Sequence, residues 1–259
     1  MKHLALTCLL ALFAVSSVDA QRLAAEFSSG ILPSSPVTLR VYDTTGNGFN
    51  LSSPCGNIDV FYGSQTGTPV PDLWSCGPGL TIVPPFGVYT FAFSPLTFGG
   101  TLLPSGDYHF RFRAIDPVTS APIESWFVYR LGNQGTTLNI GGEVRVGLST
   151  PVSVFNGPPG GVYWIGASRT SNAPLTAYGQ PLALSYDGLF NVMLVQPQSL
   201  FSSHVGMLDG NGFVMMTLSI PPLVNLAYGG FVLQALTIDT VAVPPMFGTS
   251  NPTYGRILP

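Results

Sequence analysis

Apolar and polar positions alternate along much of this chain. Val37, Leu39 and Val41 interleave with Thr38, Arg40 and Tyr42. Successive side chains of an extended strand point to opposite faces, so a period of two predicts a strand with one buried face. The rhythm returns over 88–93, where Val88, Thr90 and Ala92 oppose Tyr89, Phe91 and Phe93. It is clearest over 107–115. Tyr108, Phe110, Phe112 and Ala114 form one face, and His109, Arg111, Arg113 and Ile115 the other. That is the pattern of a half-buried antiparallel strand with one wet face. A β-branched and aromatic run from Ile58 to Tyr62 predicts another strand, and Glu124 to Leu131 the return strand after the loop 116–122.

Leu131-Gly-Asn-Gln-Gly-Thr136 is a polar, glycine-containing break, and the pattern restarts beyond it. Further strands are expected at 143–148, 151–155, 162–167, 182–185, 190–195, 213–220 and 230–239. The clusters 43–48, 157–161 and 209–212 are rich in Gly, Asn, Asp and Pro and read as turns. No stretch of this region keeps a 3.6-residue period, so little helix is expected. Many short strands with frequent turns indicate an all-β chain of two tandem antiparallel β-sandwich (immunoglobulin-like) domains. The break sets their expected ranges at 21–133 and 134–259.

Residues 1–20 follow a different pattern. Lys2 and His3 precede an apolar run from Leu4 to Val15, and small residues at Val18 and Ala20 end it. This is the layout of a secretory signal peptide cut before Gln21. The run is shorter than the about 20 apolar residues that span a bilayer. A secreted or envelope location is therefore expected, with no membrane span in the mature chain. Cys8 leaves with the leader, so Cys55 and Cys76 remain, and in an exported protein they are expected to form one disulfide. A metal site is the weaker reading of these cysteines, because only His109 and His204 remain as imidazole ligands and neither is near them in sequence.

Composition narrows the function classes. Charged residues are 8% of the chain, far below the about 25% of ordinary globular proteins. Lys2 is the only lysine, so the mature chain has only arginines as strong bases. A net charge of −3 with no basic cluster excludes the usual nucleic-acid binder. With 30 Gly and 24 Pro lacking a strict period, and 46% hydrophobic residues, the chain is neither collagen-like nor disordered.

Several segments of the second half carry a resemblance. They are Gly157-Pro-Pro-Gly160, Ile165-Gly-Ala-Ser168, the turn and alternating strand from Gly206 to Pro222 ending in Ile-Pro-Pro, the Val-Leu-Gln-Ala-Leu core within 226–239, and Gly248-Thr-Ser-Asn251. In this order they are similar to a C-terminal β-domain of secreted proteins from planctomycete-type bacteria. The resemblance covers about the last 110 residues. It implies export and a sandwich-like fold, and it carries no activity and no catalytic residue. The first half resembles an immunoglobulin-like or fibronectin-like module through its strand rhythm alone.

Candidate chemistry is sparse. His109, Arg111 and Arg113 are expected to form one exposed row, with Arg40 near it, suited to anionic polysaccharide or carboxylates; a solvated sheet face is the plainer reading. Trp74 lies in the segment bounded by the two cysteines and is the first choice for stacking on a sugar ring. Trp126 and Trp164 fall inside expected strands and read as core. Asp43–Gly48 and Asp209–Gly212 resemble fragments of calcium loops, but neither reaches the acidic residue that completes one, so turn chemistry is favoured. No metal site or cofactor is assigned. There is no nucleophile elbow and no zinc-protease helix motif. A histidine-dependent hydrolase would have to use His109 or His204. The expected role is a non-enzymatic envelope, matrix or surface-interaction protein. Its partners would be polysaccharide or envelope and matrix proteins. The alternatives are a carbohydrate-binding module and, behind it, a secreted hydrolase.

Overall fold

A computed structural model describes residues 22–29, 36–53, 55–70, 79–94, 102–132, 135–196 and 199–259. The proposed leader and residues 133 and 134 of the expected linker lie outside these. The chain divides into two compact units. One comprises Arg22–Gln134 with Tyr254–Arg256, the other Gly135–Thr253 with Ile257–Pro259. No described helix is long and apolar enough to cross a membrane.

The first unit holds β1 (Leu23–Ser29), β2 (Val37–Asp43), β3 (Phe49–Leu51), β4 (Ile58–Tyr62), β5 (Thr68–Pro69), β6 (Thr81–Val83), β7 (Val88–Phe93), β8 (Gly106–Ile115) and β9 (Pro122–Leu131). One sheet has the order β1-β2-β7. The other has the order β5-β4-β8-β3-β6, with β9 paired to β8. The alternation read in β2 and β8 turns Leu39, Val41, Phe110 and Phe112 inward, and none of the four retains exposed surface. Phe27 on β1 and Phe93 on β7 place their ring centres 5.4 and 5.0 Å from Phe110 on β8. Contacts across the two sheets make the unit a sandwich, and such aromatic pairs add about 0.5–1.5 kcal/mol each beyond area burial.

The turn after β2 is built on Asp43, which is 1% exposed. Its carboxylate accepts from the backbone N–H groups of Thr45, Gly46 and Gly48 and from the Thr45 hydroxyl. It also accepts from Phe86 N, in the turn before β7, and so ties two loops together. Burial pushes this carboxyl up, but the Gly48, Phe86 and Thr45 donors outweigh burial and leave it below the usual range. Gly48 has φ +71°, and a Cβ there would lie 2.3 Å from Val83 O, so only glycine closes this turn. Asp116 makes a second such lock. It is buried, accepts from Val118 N and Thr119 N, and pairs with Arg22.

The second unit holds β10 (Thr137–Ile140), β11 (Val144–Arg145), β12 (Ser149–Phe155), β13 (Val162–Ser168), β14 (Pro174–Ala177), β15 (Gln180–Ser185), α1 (Gly188–Val195), β16 (Val205–Met207), β17 (Val214–Ser219), β18 (Gly230–Asp239), β19 (Met246–Thr249) and the two ends of β20 (Thr253–Leu258), whose Tyr254–Arg256 are counted with the first unit. One sheet has the order β10-β12-β17 and the other β11-β20-β18-β13-β16, with β19 on β18 and a separate β14-β15 hairpin. Val152, Val154 and Leu218 from the first sheet meet Ile165, Leu233 and Ala235 from the second in one buried core. Gln234, in the Gln-Ala pair of the resemblance, is 1% exposed. Its amide accepts from Ala183 N at 2.7 Å and donates to Ser250 O at 2.8 Å, so the buried polar group is satisfied at both ends.

Two expectations need correction. Residues 190–195 are helix rather than strand. Asp187 is extended (φ −130°, ψ −175°) and its side chain accepts from Phe190 N, which is an N-cap. The apolar run that follows has no period to separate a short buried helix from a strand. The antiparallel rule also has an exception: β11 lies parallel to β20, with Val144 opposite Ile257 and Arg145 opposite Leu258. The other strand registers described are antiparallel.

Candidate functional site

The outer face of β4, β8 and β9 gathers most of the residues singled out in the sequence. Alternation places Asp59 and Phe61 on this face of β4, and His109, Arg111 and Arg113 on that of β8. Register sets Arg111 opposite Asp59 on one side and Trp126 on the other, and Arg113 opposite Glu124. Three adjacent strands thus bring an acid, two arginines, two aromatic rings and a second acid into one row.

The Arg111 guanidinium lies 5.6 Å from the Phe61 ring centre and 5.7 Å from that of Trp126. The two rings are 5.7 Å apart and tilted by 39°. Arg111 Nε donates to Asp59 Oδ2 at 2.9 Å, and Arg113 Nη2 lies 3.1 Å from the same oxygen. Arg113 Nη2 also donates to Gly56 O, and Trp126 Nε1 to Glu124 Oε1 at 3.0 Å. Phe61, Arg111 and Trp126 are each half-buried. The cation holds the two aromatic rings in one platform, an arrangement worth about 0.5–1 kcal/mol per contact at exposed sites.

His109 does not join this row as an exposed cation. It is 7% exposed, flanked in register by Phe61 and the buried Val128. Burial pulls its imidazole below the ordinary range, against the opposing effects of Asp107 and the Gly63 backbone. Its Nδ1 is buried without a hydrogen-bond partner. The row is also electrically balanced, since Arg111 and Arg113 face Asp59 and Glu124. An anion grip is therefore not what this face offers. Arg40 stands on the opposite sheet, 3.5 Å from Glu26, and belongs to another cluster.

Trp74 and Cys76 lie outside the described residues, as does the side chain of Cys55, which opens a short 3-10 turn at Cys55–Asn57. Trp164 is half-buried on β13, with its ring edge-on to Phe190 at 6.1 Å. His204 precedes β16, and burial lowers its imidazole. The serines beside it are engaged elsewhere. Ser203 Oγ donates to Val205 O and meets Tyr163 OH, while Ser202 Oγ accepts from Thr217 N. Asp209 accepts from Asn211 N and Phe213 N, as a turn aspartate does. Among the described residues no group of three or more His, Cys, Asp or Glu side chains is placed to hold a metal ion.

The sequence reading missed Asp59 and Phe61 altogether and assigned Trp126 to the core. Alternation alone would have put Asp59 with Phe61, and Glu124 with Trp126, on common strand faces. What it lacked was the strand pairing that sets them beside Arg111.

No protein-family model matches the sequence, and no curated protein matches it. Among solved structures, red sea bream transglutaminase aligns with 95% of this chain and 33% of its own, at 12% identity and TM-score 0.27. Dimeric latent PorU from Porphyromonas gingivalis aligns with 93% of this chain and 20% of its own, at 13% identity and TM-score 0.26. This chain spans a third or less of those proteins, and likeness of this degree carries no argument about activity.

Proposed function

We propose that this chain is an exported, non-enzymatic β-sandwich protein that binds envelope or matrix polysaccharide through the outer face of β4, β8 and β9. The observation that carries the reading is the Phe61–Arg111–Trp126 platform. Flat aromatic surface suits the apolar face of a sugar ring, and the neighbouring Asp59, Arg113 and Glu124 offer hydrogen bonds to its hydroxyls. The balanced charge favours a neutral glycan over a polyanion. Secretion by the leader, relation to the planctomycete-type secreted β-domain, a Cys55–Cys76 disulfide and a sugar contact by Trp74 belong to the same proposal. So does the division into sandwich domains at 21–133 and 134–259.

The test is retention of the leader-free protein on a panel of insoluble and immobilised polysaccharides. Saturable binding to one neutral glycan is expected. Trp126→Ala should weaken it by about tenfold, the loss of one stacking contact. Trp126 is half-exposed, so the thermal transition should move little. Retention that is absent on every glycan, or unchanged in Trp126→Ala, refutes the assignment.

A further inference from the structure

The second unit contains a cavity of about 90 Å³. Its wall is mainly apolar, with Ala167, Leu200, Phe201, Leu218, Leu233 and Ile257 prominent. Among its lining residues the one charged side chain is Arg169, just past the end of β13. The chain's other arginines show how unusual this is. Arg22, Arg40, Arg111, Arg113, Arg130 and Arg145 each pair with a carboxylate. Arg256 stacks on Tyr42 and donates to Phe86 O. Arg169 alone has a guanidinium with no ion pair and no hydrogen bond among the described residues.

Its backbone is nonetheless well held. Arg169 N donates to Asp187 Oδ2 at 2.7 Å, and Asp187 also caps α1 through Phe190 N. The side chain therefore leaves from a fixed point beside the cavity. A guanidinium carries five N–H donors and no acceptor, and it matches a carboxylate through two parallel bonds. Partial burial pulls its pKa down, and the field of Asp187 acts against that. An apolar chamber with one unpaired planar cation at its wall has the complementarity of an anionic amphiphile.

We propose that this cavity binds a small amphiphilic carboxylate, its head group on Arg169 and its short apolar chain against Leu200, Phe201, Leu218 and Leu233. The site lies wholly in the second unit, and it is independent of the glycan reading of the first.

The test is calorimetric titration of the purified chain with octanoate, octanol and octylammonium, which share one tail. Octanoate should bind at least about tenfold more tightly than octanol, the ordinary value of a charge-assisted hydrogen bond. Octylammonium should bind more weakly still. Arg169→Gln should remove the advantage of octanoate over octanol while octanol binding stays the same. Ala167→Leu, which fills the chamber, should block both. Equal affinity for octanoate and octanol in the unaltered protein overturns the proposal, and that comparison needs no variant to fold. So does an octanoate advantage over octanol that survives Arg169→Gln, octanoate binding that survives Ala167→Leu, or no binding of octanoate at all.

Discussion

Replacing Asp43 by alanine should strongly destabilise the first unit. Five donors lose their acceptor: Thr45 N, Thr45 Oγ1, Gly46 N, Gly48 N and Phe86 N, at 2.9 to 3.1 Å. They do not count equally. Thr45 is exposed and Phe86 is 42% exposed, so water replaces the carboxylate at those positions. The Gly48 bond is buried, and that amide is left without a partner. A buried donor stranded in this way costs about 1–3 kcal/mol, and the remaining charge-assisted bonds add about 1–2 kcal/mol together. The expected loss is therefore about 2–5 kcal/mol, against a typical domain stability of about 5–15 kcal/mol. Asp209→Ala provides the contrast. Both of its turn bonds are exposed, so its loss should stay below about 1 kcal/mol. Urea unfolding at neutral pH measures both, with the slope against denaturant unchanged. The pH arm carries its own sign. The folded-state pKa of Asp43 is depressed, so its contribution is present above the ordinary carboxylate range and fades as pH falls through the lower folded value. The gap between the parent and Asp43→Ala should close in acid. An Asp43→Ala protein within about 1 kcal/mol of the parent at neutral pH refutes the reasoning.

Phe110→Ala removes a ring with no exposed surface that contacts Phe27 and Phe93 across the sandwich. It should cost about 3–5 kcal/mol in urea unfolding, and a loss under about 1.5 kcal/mol would mean the sheets do not meet there. His109 is buried with its folded pKa below the model-compound value of 6.5, so the unfolded chain binds protons first as pH falls. Stability is full above pH 6.5 and declines below it toward the folded value. His109→Gln should flatten that decline, leaving the smaller share of His204, which is shifted the same way. An undiminished slope in the variant would show that His109 is solvated.

The strands most legible in the sequence were those with one wet face. β8 announced itself because Phe110 and Phe112 alternate with Arg111 and Arg113, and β7 matched its expected bounds; β18, buried on both faces over most of its length, was legible instead as a long apolar run. Short or irregular strands such as β3, β5 and β16 carry two or three residues each and show no period to read. α1 was misread because its run, Leu189 to Val195, is apolar apart from Asn191 and shows no helical period. The cap at Asp187 was the available signal, since an aspartate just before such a run suits a helix start as well as a turn.

The candidate site divides along the same line. Local alternation determined that Arg111 and Arg113 share a face, because adjacent Cβ atoms of a strand point to opposite sides. The β-rich class, the dense turns and the near absence of lysine likewise follow from residue order and composition. Only the tertiary structure decided what stands beside each residue. Pairing over about fifty residues sets Asp59 against Arg111, and no local property of either segment encodes that register. The same pairing buries His109 between Phe61 and Val128 and so withdraws its charge. Arg169 is the extreme case. In sequence it is one arginine after a strand, and its place at the wall of a mainly apolar cavity, with no ion pair to its guanidinium among the described residues, emerges only when the sheets, α1 and the following loops close around that cavity.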